Sequence, residues 1–368
     1  GGVLRCDEGG HNLEIIARGF RNPWDIAIDS GFNWIGTDND QTAGDRVFMP
    51  FFGAHFGWNH PWSSHWSTES HPPTAPVSGP LFEGSGTGVI FCQSPQFPPQ
   101  YRGVFLMNDW LQKTTYLWRP EWDGAMLRPS GGSFIPFIEG GTSLFRPTDL
   151  EFGPDGALWV LGWSSGYGAE WKDGQLTNEG RIFRVAWKDA PPAIELKSMK
   201  RLDGFSVDEL IAEFDSPLPV RRINAQDELV RRGKTVATSL IERLLANASG
   251  HDSSSSKDLP GEKDIPGERV KNDGLVVRPT AETRSLSENQ ETWSIWALGR
   301  MQDANGLADV LQSTLAANSN ASLNRQVQAL RILAYRAKRF HQTDRLRESL
   351  HSGLQHTQPR IRFAAVMA

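Results

Sequence analysis

Cysteine is nearly missing from this chain. Only Cys6 and Cys92 occur in 368 residues, which excludes a disulfide-dense scaffold and a four-cysteine zinc site. Two thiols permit one pair, and buried free thiols are the simpler expectation. Long apolar runs are missing as well, since no stretch approaches the ~18 residues that a membrane-spanning helix needs. Nor is there an excess of charge of one sign. Lys and Arg number 38 against 43 Asp and Glu, a formal net charge of −5, so there is no electrostatic footprint for nucleic acid or an anionic membrane surface. The motif inventory is equally sparse. There is no P-loop, no Gly-x-Gly-x-x-Gly after a strand, no His-Glu-x-x-His, no Gly-x-Ser-x-Gly, no Cys-x-x-Cys-His and no metal-spaced Cys/His cluster. Nicotinamide, ATP, zinc-protease and serine-hydrolase chemistry therefore have no basis in the residues.

What is present falls into two parts. Of 14 Trp, all but Trp293 and Trp296 precede residue 190, and most Gly and Pro precede residue 200. Residues 1–190 are read as short strands joined by Gly/Pro turns. Candidate strands are Leu13–Arg18, Trp24–Asp29, Asn33–Thr37, Arg46–Met49, Gly88–Cys92, Val104–Asn108, Thr115–Arg119, Ser133–Ile138, Thr148–Phe152, Ala157–Leu161 and Arg181–Ala186. A repeat favours a propeller. Phe20-Arg21-Asn22-Pro23-Trp24-Asp25 and the strand after it are echoed by Phe145-Arg146-Pro147-Thr148-Asp149, a strand and the hairpin turn Gly153-Pro154-Asp155-Gly156. Eleven strands at about four per blade make roughly three blades, too few to close a ring. A linker is expected over 191–204. Residues 205–368 read as helical hairpins of HEAT type stacking as a solenoid, with a Ser/Pro/Gly-rich flexible insertion at 253–290. The chain opens on Gly1-Gly2-Val3 and closes on the helix-like Ile361–Val366, so it is expected to be a fragment. The expected fold is thus multidomain, a partial all-β propeller followed by an all-α HEAT-like solenoid.

Three groups of residues are candidates for chemistry. Thr37-Asp38-Asn39-Asp40 is dense in the hard oxygen ligands that Ca²⁺ prefers, though it lacks EF-hand spacing, and an Asx turn satisfying its own backbone is the competing reading. His55, His60, His65 and His71 lie among Trp58, Trp62 and Trp66, where a packed aromatic lid is favoured over a metal site. Arg21 and Arg146 occupy equivalent points of the repeat, and Lys113 lies in a turn after a strand. Either these cations converge on an anionic, multi-carboxylate ligand, or each Arg braces a blade through a local Asp (Asp25, Asp149).

These motifs have a relative. Gly19-Phe20-Arg21-Asn22-Pro23-Trp24, Thr37-Asp38-Asn39-Asp40, Gly53-Ala54-His55-Phe56-Gly57-Trp58, Phe97-Pro98-Pro99-Gln100-Tyr101 and Arg146-Pro147-Thr148-Asp149 resemble the glucose/sorbosone dehydrogenases dependent on pyrroloquinoline quinone (PQQ). Those enzymes are six-bladed propellers, which makes this chain about three blades of six. A propeller followed by helical repeats is similar to large membrane-bound dehydrogenase-like proteins, in which a c-type haem domain often follows. The resemblance implies that Arg21, Asn22, Lys113 and Arg146 contact PQQ, and that the segment Asp38, Asn39 and Asp40 holds Ca²⁺. Thr148 stands where the family has a second arginine, and Asn39-Asp40 where it has Gly-Pro. The family's general-base His lies upstream of the Arg-Asn pair and has no counterpart here. The implied activity is oxidation of a sugar or other alcohol with electrons passed to a cytochrome-type acceptor, in a periplasmic or cell-envelope setting, with a protein partner on the helical repeats. The alternative is a non-catalytic propeller–solenoid binding a glycan or protein.

Overall fold

The computed structural model describes residues 1–7, 9–39, 45–58, 75–81, 85–140, 145–163, 171–176, 180–190, 201–249, 285–301, 305–316, 318–340 and 343–368. The expectations for Asp40, for His60, His65 and His71, for the linker up to residue 200 and for nearly all of the insertion concern residues outside that set.

The first part is a row of four sheets stacked face to face. Sheet 1 joins β1 (Gly2–Arg5), β2 (Glu14–Arg18) and β6 (Ala54–His55). Sheet 2 runs β3 (Pro23–Ile28), β4 (Trp34–Asp38), β5 (Arg46–Phe48), β7 (Gly79–Pro80). Sheet 3 runs β8 (Gly86–Cys92), β9 (Val104–Asp109), β10 (Thr114–Trp118), β13 (Ile135–Glu139), with the hairpin β11 (Pro120–Asp123) and β12 (Met126–Pro129) between its last two strands. Sheet 4 joins β14 (Arg146–Phe152), β15 (Leu158–Trp163) and β18 (Arg181–Val185), with the small hairpin β16 (Trp171–Lys172) and β17 (Gln175–Leu176) inserted. Four-stranded sheets were expected throughout. Sheets 2 and 3 have four strands and sheets 1 and 4 have three among the described residues.

Side-chain alternation explains the stacking. On sheet 3, Val89, Phe91, Phe105 and Met107 pack with Ala27, Ile35 and Val47 of sheet 2. The residues between them, Ile90, Cys92, Val104 and Leu106, pack with Leu150, Phe152, Leu158 and Val160 of sheet 4. Both faces of sheet 3 are therefore buried, which is why Val89-Ile90-Phe91-Cys92 is a continuous apolar run. Ala17, Phe20, Phe48 and Phe56 fill the layer between sheets 1 and 2. The two ends of the row are open among the described residues. Leu4 and its cross-strand partner Ile15 are exposed on sheet 1, and Trp159, Leu161, Trp163 and Ile182 on sheet 4. Both cysteines are free. Cys6 is exposed, while burial pushes the Cys92 thiol up to about 12.

β3, β8 and β14 lie side by side and run in the same direction. The Val89 amide donates to Asp25 Oδ2, and Gln93 Nε2 to Ser30 Oγ. Thr87 Oγ1 donates to the Pro147 carbonyl, and Ser94 Oγ to the Gly156 carbonyl. Gly88 makes the last approach possible, because a Cβ there would lie 2.8 Å from Asp149 Cα and 3.0 Å from the Thr148 carbonyl.

The second part is helical: α1 (Val207–Ala212), α2 (Pro219–Arg232), α3 (Lys234–Ser249), α4 (Glu288–Arg300), α5 (Leu307–Leu315), α6 (Leu323–Phe340), α7 (Thr343–Leu354) and α8 (Pro359–Met367). Ser206 with Glu209 and Ser287 with Gln290 form capping boxes at α1 and α4, so α4 starts inside the segment expected to be insertion. The helices form two layers, α2-α4-α6-α8 and α3-α5-α7, each helix packing on the one two places along. No described helix is long and apolar enough to cross a membrane.

The first layer seats on the turn between β3 and β4. Trp293 Nε1 donates to the Ser30 carbonyl (3.1 Å), Asn324 Nδ2 and Gln328 Nε2 to that of Gly31 (3.0 and 2.9 Å), and Arg331 Nη1 to that of Phe32 (2.9 Å). Phe32, at φ +61°, turns its ring onto Trp293 and Trp296. Arg360 of α8 lies 3.8 Å over Trp122, and Phe363 meets Phe51. All these contacts come from α4, α6 and α8, so this layer faces the sheets.

Candidate functional site

Because β3, β8 and β14 are parallel, the segments entering them share one end of the row. Arg21 and Asn22 precede β3, and Arg146 begins β14. β4 returns to the same end at Asp38 and Asn39, and the β9–β10 turn brings Lys113 there. The helices sit at the opposite end. The sequence-predicted residues within the described set are thus all on one rim.

A hydrogen-bonded path runs along it. Arg146 has its guanidinium 4.3 Å over the Trp110 ring and donates to the Trp110 carbonyl (3.3 Å). The Trp110 amide donates to the Ser85 carbonyl (2.8 Å), and the Ser85 amide to Asp109 Oδ1 (3.2 Å). The next amide, Gly86, donates to Asp45 Oδ2 (3.3 Å). Arg46 then carries the path to Asp38, with Nε and Nη2 donating to Oδ2 at 2.9 and 2.7 Å. Asp38 Oδ1 accepts from the Asn22 amide (2.9 Å), and Arg21 Nη1 donates to Asn39 Oδ1 (3.0 Å). Lys113 has φ +58°, and its carbonyl accepts from the Gly140 amide.

The aspartates of the repeat do not hold the arginines by any hydrogen bond on this path. Asp25 accepts from Ile26 and Val89, and Asp149 accepts from Leu150. They brace backbone, in the same way in both copies. Asp38, expected among the metal ligands, is fully buried and serves Arg46 and Asn22 with its two oxygens. Among the described residues no group of three or more His, Cys, Asp or Glu is arranged to hold a metal. His55 is buried, and its Nδ1 accepts from the Gly57 amide (3.0 Å).

Below the rim the inner strands are acidic. Burial raises the Asp25 carboxyl above its ordinary value, with the Asp149 charge adding to the effect. Glu151 is raised too, by desolvation and then by Asp149 and Asp25. Asp109, on the rim itself, is fully buried and raised by burial. The rim thus carries Arg21, Arg46, Lys113 and Arg146 together with the buried Asp38 and Asp109, while Asp25 and Glu151 lie on the strands beneath it. The Thr148 hydroxyl donates to the Leu161 carbonyl.

Arg46, Asp109 and Trp110 are the rim residues that sequence reasoning missed, whereas Asp45 lies just past the acidic loop that it marked. Nothing in the sequence marked Arg46, a single arginine at the start of a three-residue strand.

No family model and no curated protein matches the chain. Solved structures do match in part. A glucose dehydrogenase matches at 19% identity over 49% of this chain and 49% of its own, with a TM-score of 0.36. The soluble aldose sugar dehydrogenase from Escherichia coli, in its apo form, matches at 21% identity over 42% and 46%, TM-score 0.32. The PQQ-bound aldose sugar dehydrogenase from Streptomyces coelicolor matches at 17% identity over 50% and 52%, TM-score 0.35. The chain spans about half the length of each.

Proposed function

We propose that the chain is the rim-forming part of a PQQ-dependent sugar or alcohol dehydrogenase, built on a β-propeller and braced by HEAT-type repeats. The observation that carries this reading is the arrival of Arg21, Arg146 and the Lys113 turn on one end of the parallel inner strands. Fit to the cofactor is favourable at the rim. PQQ is a tricarboxylate, and guanidinium groups recognise carboxylates with paired donors. The carboxylates lower on β3 and β14 would repel it, which confines it to the rim. Fit to Ca²⁺ at Asp38 is poor, since Arg46 already neutralises that carboxylate, so the proposal does not require a metal there.

When bound, the quinone supplies a two-electron acceptor for the alcohol carbon. The chain's own residues bind and orient. Arg21, steadied by Asn39, and Arg146, stacked on Trp110, would hold the anionic edge. Asn22 has an exposed side chain at the same point. A c-type cytochrome acceptor would have to approach this rim. The helices lie roughly 20 Å away, the length of a six- or seven-residue strand, and their inner layer is taken by the sheets.

Calorimetry of the intact protein with PQQ, with and without Ca²⁺, tests the reading. Arg21→Ala is expected to weaken binding about tenfold or more, because a charge-assisted hydrogen bond contributes roughly 1.5–3 kcal/mol. Arg181→Ala, on exposed β18, is expected to leave it unchanged. Absence of binding in the wild type would favour the non-catalytic alternative, and equal losses from both variants would mean that the site lies elsewhere.

A further inference from the structure

We propose that Arg46 is a positioning residue that sets the geometry of Arg21 and Asn22 through Asp38. Its link to ligand binding rests on the dehydrogenase reading; its structural part does not.

Arg46 is buried, and its donors reach three separate segments. Nε and Nη2 converge on Asp38 Oδ2, Nη1 donates to the Phe56 carbonyl (2.6 Å), and Nη2 also reaches the Gly19 carbonyl (3.2 Å). Gly19 has φ +79°, and a Cβ on it would lie 2.7 Å from the His55 ring and 2.8 Å from the Gly57 nitrogen. That close turn brings the Gly19 carbonyl to the guanidinium, two residues before Arg21. Both donors on Asp38 go to one oxygen. The other is left for the Asn22 amide, whose own carbonyl accepts from the Asn39 amide (3.3 Å). Asn39 in turn holds Arg21. A planar five-donor fork can make all of these contacts at once. Lysine keeps the charge and has no such fork, so it would hold Asp38 and release the carbonyls. A neutral residue would leave a fully buried carboxylate without its counter-ion.

The test uses the whole chain and two readouts. Arg46→Lys is expected to speed amide hydrogen exchange at Asn22 and Asn39, with Val104–Asp109 of β9 unchanged. It is also expected to raise the Kd for PQQ about tenfold or more, with the net charge conserved. Asp38→Asn, which keeps the shape and removes the partner, should do the same and serves if the lysine variant does not fold. Arg184→Lys, on the exposed pair with Asp155, should move neither readout. Unchanged exchange at Asn22 and Asn39 would overturn the proposal, as would a uniform rise in exchange with an unchanged Kd, the signature of a general brace. If the wild type binds no PQQ, the dehydrogenase reading fails and the exchange data alone decide the role of Arg46.

Discussion

Gly88 offers a direct test of how the sheets hold the rim together. It sits on the middle inner strand, and the three atoms nearest to a Cβ there all belong to β14: Asp149 Cα at 2.8 Å, the Thr148 carbonyl at 3.0 Å and Asp149 Oδ1 at 3.2 Å. Two of these are backbone atoms, so no rotamer change relieves the clash. Reaching an ordinary contact of about 3.4 Å requires β8 and β14 to part by roughly 0.6 Å. The Thr87–Pro147 hydrogen bond, 2.7 Å at present, would then stretch to roughly 3.3 Å, near its useful limit. Overpacking of this kind costs about 1–3 kcal/mol, and a weakened buried hydrogen bond adds up to about 1 kcal/mol. Gly88→Ala is therefore expected to destabilise by about 1–4 kcal/mol, read by urea unfolding with Trp fluorescence. Gly131→Ala is the control, because a Cβ there meets nothing within 4 Å. A Gly88→Ala variant within about 0.5 kcal/mol of the wild type, or equal effects at the two glycines, would refute the close-approach argument.

Two further predictions concern charge. The Asp25 carboxyl is raised in the folded protein, so the folded state holds its proton more tightly than the unfolded one. Its contribution is full below the ordinary value of 3.8 and is lost as pH rises through the raised one. Asp25→Asn should flatten that fall in an unfolding series against pH, and an unchanged slope would show that Asp25 does not cause it. In the helical core, Arg325 is fully buried and donates to Glu291 Oε1 (2.9 Å), Thr314 Oγ1 (3.0 Å) and the Leu244 carbonyl (2.8 Å). Arg325→Met should cost about 3–5 kcal/mol by stranding Glu291, and Arg325→Met with Glu291→Leu should recover most of it; a loss under about 1 kcal/mol in the single variant would contradict this.

Much of the secondary structure was legible because local signals agreed with tertiary ones. The repeated hairpins, expected at Trp24–Asp29 with Asn33–Thr37 and at Thr148–Phe152 with Ala157–Leu161, appear at Pro23–Ile28 with Trp34–Asp38 and at Arg146–Phe152 with Leu158–Trp163. Gly156, at φ +80°, closes the second turn, as Gly-Pro-Asp-Gly implied. The helices expected at Leu323–Arg339, Asp344–Leu354 and Arg360–Ala368 appear at Leu323–Phe340, Thr343–Leu354 and Pro359–Met367. The β11–β12 hairpin was missed for a physical reason. Pro120 and Pro129 argue against strand, yet they face each other at the open end of a two-stranded ribbon, where a missing N–H is tolerated.

The site divides along the same line. Arg21, Asn22 and Arg146 were visible because each sits in a motif that repeats or resembles one already known. Arg46 was not, because its importance comes from three carbonyl and carboxylate partners 8 to 27 residues away, brought together only by sheet packing. The helix–sheet contact was hidden for the same reason. Trp293 and Trp296 read as apolar positions of a helix, and so they are. Yet the Trp293 indole N–H caps a carbonyl 263 residues away, and both rings receive Phe32, a residue whose left-handed backbone no propensity favours. The strain at Phe32 is offset by four side-chain donors on three consecutive carbonyls. The β3–β4 hairpin is thus fixed at both ends, by helices at its turn and by the Arg46–Asp38 pair at its open end. Rigidity at the turn therefore serves the rim, since β3 and β4 are the strands that deliver Arg21 and Asn39 to one another.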